Sequence, residues 1–444
     1  FIGANGGAIL KSFYIARVEV LRGPQGTLFG RNTIGGVINV ERSKPTGEFG
    51  GKVRASYGDY DAYNVEGIVN FGVTEDLAVK LSGAKREQKE GYYKNTFSGD
   101  DVGRSDYQTL GVNFLLSSGE DMEFEYTYQW EDTDQDTPPL LNNGQQRHLF
   151  CFAFNYCSPS EDSTITGDRY KVSNRGLFPP NPLADSNPAN DVFNATPYSA
   201  LRAEDLAATF GTDTHILEWR WDFAEDYRFD AIYGHWNSSE TVLTDWDGTP
   251  DLLYHTTRPA NYKQDSLELR VSHTGAGALT WVAGAYLWNS EYDINLRSYI
   301  GFAAPNTVLD ILQYSSQETD SQALFFEADY DVSDRLTFTV GGRYTEDEKE
   351  SRQRGQVNTS TMPNPATGIV EGDPNEDWNE FTPKIGARYQ LTDDAMLYAT
   401  YSIGYRSGGF NGRVASYAES VTPYDQETVT NYEIGFKSEW LDRT

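Results

Sequence analysis

Cys151 and Cys157 stand close together in "CFAFNYC". In a polar stretch that spacing suits a small loop-closing disulfide in an oxidising compartment, with reduced buried thiols as the other reading. Metal ligation needs more donors than this stretch supplies. Two acidic segments, "EDTDQDTPP" and "TDWDGTPD", carry oxygen ligands of the kind Ca²⁺ takes. Neither completes a calcium loop, so solvated charge is the expectation there. The five histidines are scattered, with no pair at helical or strand spacing. Neither G-x-S-x-G nor H-E-x-x-H occurs, which removes the usual hydrolase and protease signals. Catalysis, a resident metal and a cofactor are therefore not expected.

A different concentration of unusual residues lies near the start, in "RVEVLRGPQGTLFGRNTIGGVINV", from Arg17 to Val40. Gly23, Pro24, Gly26, Gly30, Gly35 and Gly36 crowd its turn. A phosphate-cradling loop would need a Lys-Ser/Thr ending and a following helix, and "GPQGTLFG" offers neither. These residues instead serve backbone conformation and close packing. The segment reads as strand, turn, strand. Its run "VEVL" is too short to cross a membrane, so it suits a small globular unit packed inside or beside a larger body.

That larger body is set by composition and pattern. The 444 residues carry a net charge of -30, 14% aromatic residues and 41 glycines. The acidic balance argues against a nucleic-acid partner, which would need clustered Lys and Arg. A mean hydropathy of -0.59 beside so many aromatics fits neither a soluble globule nor a disordered chain. No apolar run approaches the roughly 18–20 residues of a membrane-spanning helix.

From about residue 47 onward, alternating stretches of about ten or more residues return again and again. In "LTFTVGGRY", Leu336, Phe338, Val340 and Tyr344 share one face, opposite Thr337, Thr339 and Arg343. "MLYATYSIGYR" and "LFFEADYDV" repeat the pattern, and a period of two means β-strand. Short turns at "GVTEDLA", "SSGEDME", "FAEDYRF", "HTGAGAL", "DVSDRLT", "QLTDDAM" and "WLDRT" alternate with long polar connections. The latter include "NTFSGDDVGRSD", "TDWDGTPDLLYHTTRPAN", "RSYIGFAAPNTVLDILQYSS" and "RQRGQVNTSTMPNPATGIVEGDPNED". A sandwich or a propeller would not show this asymmetry of turns and loops. The fold class is therefore all-β: a transmembrane antiparallel β-barrel with about fourteen strands here, and a barrel of roughly 22 strands would be wide enough to need a plug. Residues 1–45 form a separate unit before barrel residues 46–444, and the chain is expected to be cut at both ends.

The opening segment resembles the C-terminal signature of the plug domain of TonB-dependent outer-membrane receptors. "FTPKIGARYQLTDDAMLYATYSIGYRSGGFNG" and "YDQETVTNYEIGFKSEW" are similar to barrel strands of the same family, nearer its iron-chelate receptors than its glycan importers. The resemblance covers essentially the whole chain, with one departure: relatives often carry an acidic residue where Tyr14 stands. It implies a signal peptide, a TonB box and most of the plug before Phe1, and about eight further strands after Thr444.

The implied activity is import across the bacterial outer membrane of a scarce, bulky solute, commonly a ferric siderophore, with cobalamin, haem or an oligosaccharide as alternatives. The implied partners are TonB with its inner-membrane energising complex, the small-molecule cargo and outer-membrane lipid. Plug arginines of the family pair with barrel glutamates. This points to Arg22 with Glu433, which strand parity turns inward opposite Tyr432, Ile434 and Phe436, and to Glu327 as substitute partner. Tyr92, Tyr93 and Phe97 lie at the outer end of a strand, either as interfacial belt or as contacts for an apolar chelate. Phe150, Phe152, Phe154 and Tyr156, carried beyond the membrane with the cysteines, are the better substrate candidates, though loop packing explains them almost equally well. A passive porin would need no plug, and an outer-membrane enzyme would need a Ser/His/carboxylate cluster that does not stand out.

Overall fold

The computed structural model describes residues 15–95, 99–139, 170–172, 207–246, 254–304, 307–359, 369–413 and 417–439. At the N-terminal end, β1 (Ile15–Arg22) and β2 (Gly36–Arg42) pair antiparallel as a sheet of their own, with Val20 opposite Ile38 and Arg22 opposite Gly36. Between them the turn winds into a single helical turn, α1 (Gly26–Phe29), which the sequence pattern did not reveal. Gly36 has a φ of +142°, and a Cβ there would collide with the Leu21 carbonyl oxygen, so only glycine lets β2 start opposite the end of β1.

The remaining elements are β3 (Gly50–Gly58), β4 (Ala62–Gly72), β5 (Leu77–Gln88), β6 (Tyr93–Asn95), β7 (Asp101–Val102), β8 (Ser105–Ser118) and β9 (Met122–Asp136). Next come β10 (Tyr170–Val172), β11 (Ala207–Ala224), β12 (Tyr227–Asp245), β13 (Tyr254–His273), β14 (Leu279–Ala304) and β15 (Thr307–Ser333). Last are β16 (Leu336–Thr359), β17 (Ile369–Gly372), β18 (Asn375–Thr392), β19 (Ala395–Arg406), α2 (Tyr417–Val421) and β20 (Glu427–Ser438). Fourteen of these strands form one antiparallel meander in chain order, from β3 at one edge to β20 at the other. Strand β17 adds to β16, and β10, β6 and β7 make a small sheet apart.

Each short turn expected within the described strands joins two neighbours of the meander, as at residues 225–226, 334–335 and 393–394. The opposite ends differ from expectation. "RSYIGFAAPNTVLDILQYSS" is not a loop but the far ends of β14 and β15, laddered through Arg297 opposite Leu312 and Tyr299 opposite Asp310. Strands β13 and β16 likewise run into stretches that read as connections. Beyond the membrane the outward face has no reason to be apolar, so alternation fades while the backbone ladder continues.

The two faces of the sheet differ in chemistry. Phe338, Val340 and Tyr344 on β16, Leu324 and Phe326 on β15, and Ile434 and Phe436 on β20 point outward with no protein over them. Arg343, Thr345 and Asp347 point inward and are buried. The outward apolar stretch of β16, Leu336 to Tyr344, matches the roughly 9–11 residues a tilted strand needs to cross the hydrocarbon. Its upper limit is sharp across neighbouring strands, because Leu324, Tyr344 and Phe381 lie in register. Two rows higher, Asp265, Asn289, Asp320, Glu348 and Asp377 form one continuous polar row. No helix among the described residues is long and apolar enough to cross a membrane, so the crossing elements are strands.

Candidate functional site

The N-terminal segment is seated against the inner wall by α1, which touches β15, β16, β18 and β19. The approach is backbone to backbone. A Cβ on Gly26 would lie 2.9 Å from the Ile403 carbonyl oxygen, and one on Gly404 would lie 2.9 Å from the Pro24 Cβ. Thr27 Oγ1 donates to the Thr382 carbonyl at 3.4 Å, and the Asn32 amide donates to the Tyr405 carbonyl at 2.8 Å. Small residues on both surfaces are what let these polar groups meet.

Gly30 closes α1 with a φ of +78°, donating its amide to the Gly26 carbonyl at 3.0 Å. The chain is thereby turned so that Arg31 enters the wall. Arg31 Nη1 lies 2.6 Å from Asp347 Oδ1, with side-chain exposures of 9% and 0%. The second carboxylate oxygen, Oδ2, accepts the Tyr405 hydroxyl at 3.0 Å. Below the guanidinium lies the Trp288 ring, 4.0 Å from Arg31 Cζ to the centroid. A desolvated pair of this kind adds little net stability while intact, but removing one member leaves a buried charge and costs about 3–5 kcal/mol.

Two more cations complete the surroundings. Arg343 is buried beside the Tyr286 and Phe325 rings, 5.4 Å from each centroid, and a Cβ on Gly30 would meet its guanidinium. Lys349 donates to the Gly408 carbonyl and lies 5.3 Å from the centroid of the Trp378 ring, over a buried cluster of Trp378, Tyr405 and Phe410. It stands beyond Tyr344, the last outward apolar residue of β16, and so outside the membrane span. Burial, with Arg31 adding repulsion, pushes its ammonium down to about 8.

A second cation reaches the wall at the other end of the segment. Lys44 Nζ lies 2.9 Å from Glu123 Oε2 and 3.8 Å from Glu125 Oε2. Glu123 also holds Arg220 at 2.6 Å. Lys80, on β5, donates to the Ser43 carbonyl.

The expected pairing of Arg22 with Glu433 is not the one formed. Arg22 is exposed at the end of β1, and its carbonyl accepts Gln25 Nε2 at 3.1 Å. Glu433 accepts the Tyr398 hydroxyl at 2.7 Å. The physical reason is the helical turn: α1, not the end of β1, is what enters the wall, so the engaged arginine is nine positions further on. Glu327 pairs with Lys384 at 2.9 and 3.0 Å across Gly341, a contact within the barrel wall.

Of the other sequence candidates, Pro24, Gly26 and Gly30 lie in the seat, while a Cβ on Gly23 would lie 3.7 Å from Asn431 Nδ2 and one on Gly35 would meet open space. Tyr92 is exposed and sits edge-on to Tyr60, and Tyr93 packs against Val102 and Leu243. Phe97, Phe150, Cys151, Phe152, Phe154, Tyr156 and Cys157 lie outside the described residues. In "EDTDQDTPP", Glu131 accepts Tyr107 at 2.6 Å and Asp136 accepts Arg104 at 3.1 Å through both oxygens. Residues 247–251 of "TDWDGTPD" lie outside the described residues. Among the described residues no group of three or more His, Cys, Asp or Glu could hold a metal ion. Arg31 and Asp347 escaped the sequence reading. Inward parity three residues above Tyr344 marks Asp347 out, but "TEDEKE" surrounds it with like charges.

A meander of fourteen strands, apolar outside and polar inside, with a separate glycine-rich segment locked to its inner wall, is the wall of an outer-membrane β-barrel. Residues 154–444 match the family described as "TonB dependent receptor-like, beta-barrel". The chain belongs to that family, the TonB-dependent receptors of the outer membrane. It is 24% identical over 446 residues to the pesticin receptor of Yersinia enterocolitica, covering 97% of this chain and 54% of that protein. It is 27% identical over 467 residues to the ferripyoverdine receptor of Pseudomonas aeruginosa, covering 99% and 49%. Among solved structures, the ferric yersiniabactin uptake receptor of Yersinia pestis shares the fold, with a TM-score of 0.70, 22% identity and coverage of 95% and 57%. The chain thus spans about half the length of the curated relatives it matches.

Proposed function

We propose that the protein to which this chain belongs imports an iron complex, most simply a ferric siderophore, across the outer membrane, driven through TonB. The observation that carries this reading is the seat of the plug segment. Among the described residues it is held by a buried Arg31–Asp347 ion pair and close backbone contact, which concentrates the hold in a few bonds that a pull can break. Relatives named for pesticin, ferripyoverdine and ferric yersiniabactin support an iron-complex cargo. The residues described here act by holding, releasing and binding, with no bond chemistry on the cargo. Cobalamin, haem and oligosaccharide lack comparable support. The test is uptake of radioactive iron as siderophore complexes by cells expressing the whole gene product, with and without TonB. Uptake that needs TonB is expected. Iron entry or solute conductance that persists undiminished without TonB would return the protein to the passive pores.

A further inference from the structure

Asp347 is fully buried, and its hydrogen-bonding partners are Arg31 and the Tyr405 hydroxyl. If the plug segment moves, as the proposed function requires, Arg31 leaves with it, and Asp347 loses its one ion-pair partner among the described residues in a dry site; buried Arg343, the other wall cation within electrostatic reach, keeps its Nε on the Thr345 hydroxyl. Such a stranded charge resists the very motion that creates it.

A second cation stands beside it. Lys349 is two residues along the same strand and so on the same inward face. Its ammonium holds a backbone carbonyl, that of Gly408, and sits over the Trp378 ring, and it forms no ion pair among the described residues. We propose that Lys349 is a stand-in countercharge: when Arg31 withdraws, its ammonium swings from the Gly408 carbonyl onto Asp347, and the Tyr405 hydroxyl stays in place.

The geometry supplies each requirement. A flexible four-carbon stem can redirect its ammonium without moving the strand. The charged and titratable groups facing Lys349 are Arg31 from the plug segment, Asp347 on its own strand, and Tyr405 and Arg406 on β19. Glu376 stands directly opposite on β18, exposed, and is the competing carboxylate. Burial and the repulsion of Arg31 disfavour the Lys349 charge while the plug is seated, and Asp347 favours it. Withdrawal of Arg31 removes the repulsion and frees the attraction together. One seated pair is then exchanged for another, so opening never exposes a bare charge. The exchange also takes up protons, since Lys349 is partly neutral near pH 8 in the seated state and fully charged once paired.

The experiment is NMR titration of ¹³C-labelled lysines in the chain held in detergent micelles, with the Lys349 signal assigned through K349Q. The wild-type midpoint is expected near 8. In R31M, which mimics withdrawal, it should rise by about two units or more, and in R31M/D347N it should fall back. A midpoint in R31M that stays near or below the wild-type value overturns the exchange. So does a rise that survives in R31M/D347N, because Glu376 or solvent would then be the partner. If R31M does not fold, amide hydrogen exchange of β1 and β2 at pH 7 gives the same answer with Arg31 in place. There K349M should slow release of the segment about tenfold while K349R restores it, and equal rates in all three overturn the exchange. Failure of TonB-driven iron uptake with these results intact would sink the import reading and leave the exchange standing.

Discussion

Arg31 and Lys44 are both cations that the N-terminal segment lends to barrel carboxylates, at nearly equal distances of 2.6 and 2.9 Å. Their surroundings make them unequal. The Arg31–Asp347 side chains are 9% and 0% exposed, whereas Lys44 and Glu123 are 38% and 36% exposed. Water screens the second pair and re-solvates whichever partner is left behind. Glu123 also keeps the Arg220 ion pair if Lys44 goes, while the one hydrogen bond left to Asp347 as the structure stands is that of the Tyr405 hydroxyl. Contact distance alone would rank the two together; burial separates a latch from a tether.

Substitution at the latch should produce the largest effect. Arg31→Met is expected to weaken seating of the segment by about 3–5 kcal/mol, read as lost hydrogen-exchange protection in β1 and β2. Adding Asp347→Leu should recover most of that loss, because no buried charge is then unpaired. If Arg31→Met cost no more than a substitution at Lys44, burial would not be the deciding difference.

Next in size is Tyr405→Phe, which removes a donor from a buried carboxylate and should cost about 1.5–3 kcal/mol by the same measurement. Gly26→Ala drives a methyl against the Ile403 carbonyl and should cost about 1–3 kcal/mol through displaced backbone. An unchanged seat in that variant would mean that close backbone approach is not what holds α1 to the wall.

The pH dependence of stability sharpens the contrast further. Lys349 has a folded-state value of about 8, below its ordinary 10.5, so the unfolded chain binds the extra proton between those values. Stability should therefore rise as pH climbs through about 8, and Lys349→Met should flatten that rise in urea titrations. Smallest of all, Lys44→Gln should cost less than about 1 kcal/mol, and the difference should shrink further in high salt.

Much of this architecture was legible in the chain itself. Lipid demands an apolar residue at every second position, so the spacing of Leu336, Phe338, Val340 and Tyr344 reports both the strand and its outward face. The tight turns were legible for the same reason, because alternation stops and restarts around them. The far ends of β14 and β15 were not, since outside the membrane the outward face carries Asn289 and Asp320 as readily as a loop would. The glycine-rich segment was legible as a unit that meets another surface, but the reading pointed to Arg22, because strand spacing in "RVEVLRG" is visible and a lone helical turn in "GTLF" is not.

The sequence by itself determined the barrel, its inward and outward faces, and the glycine-rich segment that must approach another backbone. These follow from local rules of period, solvent and conformational freedom that each stretch obeys alone. Only the tertiary structure decided that Arg31 rather than Arg22 enters the wall, that Asp347 is the carboxylate it meets, and that Lys349 waits beside them. Arg31 lies 316 positions from Asp347, and the chemistry of the pair depends on how much water is left between them once the segment is seated.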